Sequence, residues 1–420
     1  MRILYLTQYF GQATDAGSGR HFFFTKYAVE RGHDVAVITS NVDYKNAQKR
    51  KSGKNGRNVR TNEGVEIQYV YSYSNFRGSI LKRMLFFASY VFFSLGQAVR
   101  VKRPDIVYAV STPLTVGLLG FLISRYWRVP YVFEVGDVWP DAVVACGIVK
   151  NKLIIRSAHL LEMFCYRKAA HVVGLSRLIC DNIVGKGVPC RKVSLITNGV
   201  DFSLFTPDRH DEKRNAARVS GDYRDRFVAM YMGAHGIYNA LDTIMIAARA
   251  LKDDPRVMFV FVGNGDEKGR MQSIVRGEGL KSVCFLPTVS RLESISLLAA
   301  ADAFLLPNRK GDYFACNLPN KLFDYLASAR PIVVAGYGET SEIVSTAGCG
   351  IVVPAEDGAA MAEAILSLVR MPLSDREAMG QKGRAYVQKH YDREQLGEKF
   401  LNILDRSAAP RRGTAIDAGF

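Results

Sequence analysis

Residues 305–327 read LLPNRKGDYFACNLPNKLFDYLA. The apolar run Ala303-Phe304-Leu305-Leu306 stops at Pro307, and a polar, glycine-containing loop with Arg309 and Lys310 follows. A helix is expected from Pro319, whose φ is already helical and whose missing N–H is not needed in a first turn. Leu322, Phe323 and Leu326 recur at helical spacing, which leaves Asn320, Lys321 and Asp324 near the loop end. A strand that runs out into a loop and returns as a helix is the unit of an open α/β sheet. Such sheets bind ligands at that edge, where backbone N–H groups and the helix dipole point into the crevice. Asp324 is one short carboxylate there, either an acid stabilising the first turn or a ligand contact.

The same unit repeats on both sides of this stretch. Arg2–Thr7 alternates as a strand, a long loop runs to Gly19, and a helix from Arg20 to about Arg31 turns at Gly32-His33 into the strand Asp34–Thr39, a βαβ unit. Strands are expected again at Gly64–Tyr71, Ile106–Val110, Tyr131–Val135, His171–Gly174 and Val193–Ile196. A polar, charge-dense linker at Thr206–Arg224 precedes a second series: Phe227–Gly233, Val257–Gly263, Val283–Pro287, Ala303–Pro307, Pro331–Ala335 and Cys349–Val353. At 420 residues the chain exceeds what one hydrophobic core usually serves. The expected fold is therefore α/β, with two Rossmann-like domains at 1–200 and 207–385 facing each other across a cleft. The last helical stretch, Asp375–Arg406, is expected to send its end at 386–406 back toward the first domain, before a disordered tail at 407–420.

A net charge of +16 calls for an anionic partner: a nucleic acid, an anionic membrane face or a phosphate-bearing substrate. No nucleic-acid partner is expected, because the charge is spread through both domains without a helix-turn-helix, zinc or aromatic RNA-binding motif. The run Lys45–Arg60 holds seven basic residues and no acid, the pattern of a solvated loop. Seven cysteines without a C-x-x-C point to reduced thiols in a cytosol. MRILYLTQYF goes straight into a strand and is not read as a signal peptide. Met84–Val99 is short for a membrane span, and Ile106–Ser124 divides at Ser111-Thr112-Pro113, so neither is read as one. Ser79–Val101 and Pro113–Arg128 do combine bulky apolar residues with flanking Arg and Lys, as interfacial helices do; burial in the core is the other reading.

Four further loops carry chemistry. Gly17-Ser18-Gly19 opens the first helix, where glycines let a backbone approach an anion; the dinucleotide fingerprint's third glycine is absent. Glu134–Asp141, EVGDVWPD, ends a strand with Asp137 at the tip and Trp139 beside it, as a sugar-facing wall or as part of a capped turn. Gly233-Ala234-His235-Gly236 follows the first strand of the second domain, with amides suited to a diphosphate and His235 and Tyr238 close by. Gly263-Asn264-Gly265-Asp266 is a second turn in the same crevice. No H-E-x-x-H, zinc spacing or Asp-x-Asp triplet appears, so no metal ligands are assigned.

The order of these elements resembles the retaining nucleotide-sugar glycosyltransferases of family 4, of GT-B architecture, from Met1 to about Arg406. The resemblance rests on the Gly17–Gly19 loop with ERGHDVAVIT, ITNGVDFSLFTP at Ile196–Pro207, FVFVGNGDE at Phe259–Glu267, and ADAFLLP through LFDYLASARPIVVAGYGETSEIV. EVGDVWPD and GAHGIYNALDT look most like the branch that includes fucosamine transferases of O-antigen and capsule synthesis. The resemblance implies Asp137 as the catalytic cleft residue beside acceptor and donor sugar, Gly17 and Gly19 on the phosphate side, and Asp324 on the ribose hydroxyls. Asn317 and the shorter Asp324 stand where members commonly carry a pair of glutamates. The Arg and Lys that many members place after the second domain's first strand are missing from Gly233–Asn239. Phosphate neutralisation then falls to Lys321, Arg309 and Lys310, in that order. The family implies a nucleotide-sugar co-substrate, UDP-linked, with no cofactor, and a lipid-linked or saccharide acceptor in surface polysaccharide synthesis. The expected location is cytoplasmic, on the inner face of the cell membrane. A nucleotide-sugar 2-epimerase of the same architecture and a non-catalytic protein binding an anionic polymer are the alternatives.

Overall fold

Strands that are apolar on both faces need helices on either side of the sheet, which is the condition for parallel pairing. The computed structural model meets it twice. It describes residues 1–11, 19–42, 58–61, 63–76, 79–141, 144, 147, 149–205, 218, 223 and 225–409. The first sheet contains β1 (Arg2–Leu6), β2 (Asp34–Ser40), β3 (Asn58–Arg60), β4 (Glu66–Val70), β5 (Ile106–Ser111), β6 (Tyr131–Val135), β7 (His171–Gly174) and β8 (Val193–Leu195). Their order is β3-β4-β2-β1-β5-β6-β7-β8. All pairs are parallel except β3 on β4, where Val59 stands opposite Ile67. That edge strand closes the basic run expected to be a loop; residues 45–57 of the run lie outside the described residues. The helices are α1 (Arg20–Glu30), α2 (Ile80–Ala98), α3 (Thr115–Trp127), α4 (Lys152–Lys168) and α5 (Arg177–Gly185).

The second sheet runs β11-β10-β9-β12-β13-β14. Its strands are β9 (Phe227–Met232), β10 (Val257–Val262), β11 (Val283–Leu286), β12 (Ala303–Pro307), β13 (Ile332–Ala335) and β14 (Gly350–Val353). Around it lie α6 (Asp242–Ala250), α7 (Lys268–Glu278), α8 (Arg291–Ala299), the short α9 (Asp312–Ala315), α10 (Asn320–Ala327), α11 (Glu339–Ala347) and α12 (Gly358–Arg370). Pro319 caps α10, whose Leu322, Phe323 and Leu326 are fully buried, while Tyr325 stacks on Phe304 at 4.2 Å between ring centres. The loop before it, expected to be irregular, contains α9.

The final helical stretch is two helices, α13 (Leu373–His390) and α14 (Arg393–Ala408), because Asp392 breaks the first and caps the second through the Glu394 N–H. At that break the Val200 N–H reaches the Tyr391 carbonyl at 2.9 Å. The chain thus returns to the first domain, where Phe400 of α14 stacks on Phe24 of α1 and meets Tyr108 edge-on, each at 5.0 Å. Strand order reverses between β1 and β5 in one sheet and between β9 and β12 in the other. Crevices form at such switch points, so each domain has one at the carboxyl ends of its strands.

Candidate active site

The two carboxyl edges meet over the loop that joins β12 to α10. Asp137, two residues past β6, accepts from the Thr112 hydroxyl of its own domain at 3.1 Å and from the Tyr313 hydroxyl of the other at 3.4 Å. The Ser176 hydroxyl donates to the Cys316 carbonyl at 2.8 Å, and the Asn198 amide to the Leu318 carbonyl at 3.2 Å. Asp137 is open to solvent from the cleft yet enclosed by protein on both sides, and that enclosure raises its pKa, opposed by the bonds from Thr112 and Tyr313. Glu339 of α11 adds another crossing, accepting the Arg177 and Leu178 N–H groups at the start of α5.

Beneath Asp137 lies a buried pair that neither motif announced. Glu134, on β6, receives two bonds from the Arg20 guanidinium, at 3.1 and 3.0 Å, and one from the Tyr108 hydroxyl. Burial alone would raise the Glu134 pKa, but Arg20, His21 and the Tyr108 hydroxyl together outweigh it and hold the carboxyl below its usual range. Arg20 also donates to the Ile196 and Thr197 carbonyls. One guanidinium therefore ties together the start of α1, the strand leading to Asp137 and the crossing between domains.

In the second domain, Lys321 reaches from the first turn of α10 to the Tyr231 hydroxyl at 2.7 Å and the Asn239 side chain at 3.1 Å. A Cβ on Gly233 would lie 3.0 Å from its Nζ, so the ammonium sits directly on the glycine turn after β9. Burial pushes its pKa down to about 7. The N–H groups of Gly233 and His235 are already bonded to the Val262 and Asn264 carbonyls, which leaves those of Ala234 and Gly236 for a ligand. Gly263 and Gly265 serve the packing of one turn on the other: a Cβ would stand 2.0 Å from the Gly233 carbonyl oxygen and 2.4 Å from that of His235.

Other expected site residues lie differently. The His235 ring is fully buried among Tyr231, Phe261 and Phe285. That burial, with Lys268 and Lys321 adding to it, lowers its pKa to about 4, so the neutral ring is a core element. Asp324 gives both oxygens to Arg291 of α8, at 2.6 and 2.7 Å. Trp139 is half-buried against the first domain's core, and Asn317 is exposed while its carbonyl accepts from Thr340. Arg309 bonds to the Ile237 carbonyl and Lys310 is exposed. Gly19 begins α1 against the Arg393 guanidinium; Gly17 and Ser18 lie outside the described residues. Among the described residues, no three His, Cys, Asp or Glu side chains gather as a metal site.

Two parallel-sheet domains with facing crevices define the GT-B class. Residues 25–199 match the glycosyl transferase 4-like domain and residues 226–371 the glycosyl transferases group 1 family, one match for each domain. The chain is a glycosyltransferase of the GT-B type. It is 25% identical over 390 residues to a putative colanic acid biosynthesis glycosyl transferase, WcaI, of Escherichia coli (strain K12), covering 90% of this chain and 93% of that protein. Among solved structures it is similar to Anabaena Alr3699/HepE in complex with UDP and glucose, with a TM-score of 0.72 at 17% identity over 96% of this chain and 99% of that one. It is also similar to a sucrose-phosphate synthase from Thermosynechococcus elongatus, with a TM-score of 0.76 at 16% identity, covering 96% and 98%. At such identities these two structures speak to the fold.

Proposed function

We propose that the protein transfers a sugar from a nucleotide-diphosphate donor, UDP-linked, to a saccharide or lipid-linked saccharide acceptor in bacterial surface polysaccharide synthesis, with retention of configuration. One observation carries this reading. A lysine whose burial has cost it part of its charge sits on the glycine turn of one domain, and a carboxylate reaches across from the other. A diphosphate seated between Gly233 and α10 would restore the Lys321 charge and take the free N–H groups of Ala234 and Gly236. Resemblance to WcaI supports a polysaccharide pathway, and the UDP-bound fold neighbour supports the nucleotide.

In the reaction, the acceptor hydroxyl oxygen bonds to the anomeric carbon as the bond from that carbon to the diphosphate oxygen breaks. The departing phosphate, held by Lys321, takes the hydroxyl proton. Asp137 accepts a hydrogen bond from the reacting sugar or acceptor and fixes the approach, exchanging its present bonds to Thr112 and Tyr313 for substrate ones. In this reading Asp324, both of whose oxygens now bond to Arg291, would exchange that partner for the ribose hydroxyls. Product analysis by mass spectrometry, with and without a lipid-linked oligosaccharide acceptor, tests the reading. Acceptor-dependent glycoside is expected. Conversion of the nucleotide sugar to an isomer without acceptor would assign an epimerase instead.

A further inference from the structure

A surface helix normally turns a polar face to water. The outward stripe of α2 is Leu81, Leu85, Ala88, Phe92, Gly96 and Val99, at helical spacing and without one polar side chain. Leu81 is 70% exposed and Phe92 71%. The buried side of the same helix is filled by Phe86, Phe87 and Tyr90, so the outer residues are surplus to the core. Beside it lies α3, joined to α2 by the Trp127 ring N–H bonding to the Ala98 carbonyl at 3.1 Å, and next comes α4, joined to α3 by the Phe121–Phe164 contact. On α4, Leu153 is 75% exposed and Leu160 65%. With Leu122 and Tyr126 exposed on α3 between them, each of the three adjacent helices presents apolar side chains to solvent.

Its charge is of one sign. Residues 67–161 contain eleven Lys and Arg and four acids, Asp105, Glu134, Asp137 and Asp141. Each acid has a partner of its own: Asp105 accepts from the Arg2 N–H, Glu134 is buried on Arg20, Asp137 lies in the cleft, and Asp141 pairs with Lys186 and with His159 of α4. Arg100, Arg125, Arg128, Lys152 and Arg156 are all exposed at the ends or edges of the three helices.

We infer that the outer face of α2, α3 and α4 docks on an anionic lipid bilayer, with the apolar stripe in the headgroup boundary and the basic rim on lipid phosphates. A second copy of the chain does not fit, because a two-fold contact would bring this basic rim against itself. No helix among the described residues is long and apolar enough to cross a membrane, so the contact is peripheral through these helices. The amino end of α3 follows Thr112, which bonds to Asp137, so a bilayer on this face lies beside the mouth of the cleft. Docking of this kind does not depend on the reaction proposed above.

Vesicle co-sedimentation of the full chain tests it, using phosphatidylcholine vesicles with and without phosphatidylglycerol. The protein is expected to partition onto anionic vesicles about tenfold or more above neutral ones and to be released by salt. Leu81→Ser with Phe92→Ser should lower partitioning by about tenfold or more, and Arg100→Ser by about fivefold, with thermal unfolding unchanged because these side chains are exposed. Equal partitioning of wild type and both variants would overturn the proposal. So would absence of vesicle binding combined with a concentration-dependent dimer that Phe92→Ser abolishes.

Discussion

Lys321 links burial to binding in a way that pH reads out. Its pKa of about 7 in the free protein rises when a diphosphate takes its place beside Tyr231, so binding takes up a proton between pH 7 and the ordinary lysine range near about 10. The affinity for a nucleotide sugar is therefore expected to be flat below pH 7 and to fall toward a limit of about tenfold per pH unit above it. Titrations across this range check the slope, which Lys321→Ala should abolish. The role proposed for Asp137 comes later in the cycle. Asp137→Asn keeps one oxygen to accept from either the Thr112 or the Tyr313 hydroxyl, turns the other into a donor amide and loses the charge, so turnover should fall by about 10² or more with the melting temperature little changed. Steady-state kinetics at saturating donor measure it, and near-wild-type turnover would remove Asp137 from the site.

At the scale of elements, the two glycine turns after β9 and β10 form one unit. Gly263 has φ of +138° and its missing Cβ leaves room for the Gly233 carbonyl, 2.0 Å from where that atom would be. Gly263→Ala should destabilise the fold by about 2 kcal/mol or more in denaturant titration, and donor binding should fall with it, since the turn that meets Lys321 is displaced. The α10 helix was readable because Pro319, Leu322 and Leu326 sit close together in sequence and obey one period. Strand alternation exposed the two sheets in the same way. What local pattern cannot carry is pairing between distant residues: Arg20 with Glu134, and Asp324 with Arg291, are matched only once the sheets bring them together. His235 shows the converse. Its loop was visible, but the direction of its ring depends on Phe261 and Phe285, which come from other strands. The break at Asp392 went unseen because the polarity of Asp375–Arg406 hides a cap among many charges.

At the scale of the molecule, stability and catalysis share the crossing between domains. The last helix belongs to the first domain by contact, and Phe400 anchors it between Phe24 and Tyr108. Phe400→Ala should cost about 3–5 kcal/mol in unfolding free energy, seen as a lowered melting temperature, because the cavity opens beneath α1 and β5 together. The cleft depends on both domains holding their edges to the Tyr313–Leu318 segment, and the purpose proposed for it is to hold a nucleotide diphosphate.

Calorimetric titration of wild type, Lys321→Ala and Asp137→Asn with UDP, GDP and ADP tests that purpose most directly. One nucleoside diphosphate is expected to bind wild type and Asp137→Asn alike, and Lys321→Ala about tenfold or more weaker, the worth of one charge-assisted contact. Binding of none of the three, or equal affinity in wild type and Lys321→Ala, would contradict the account.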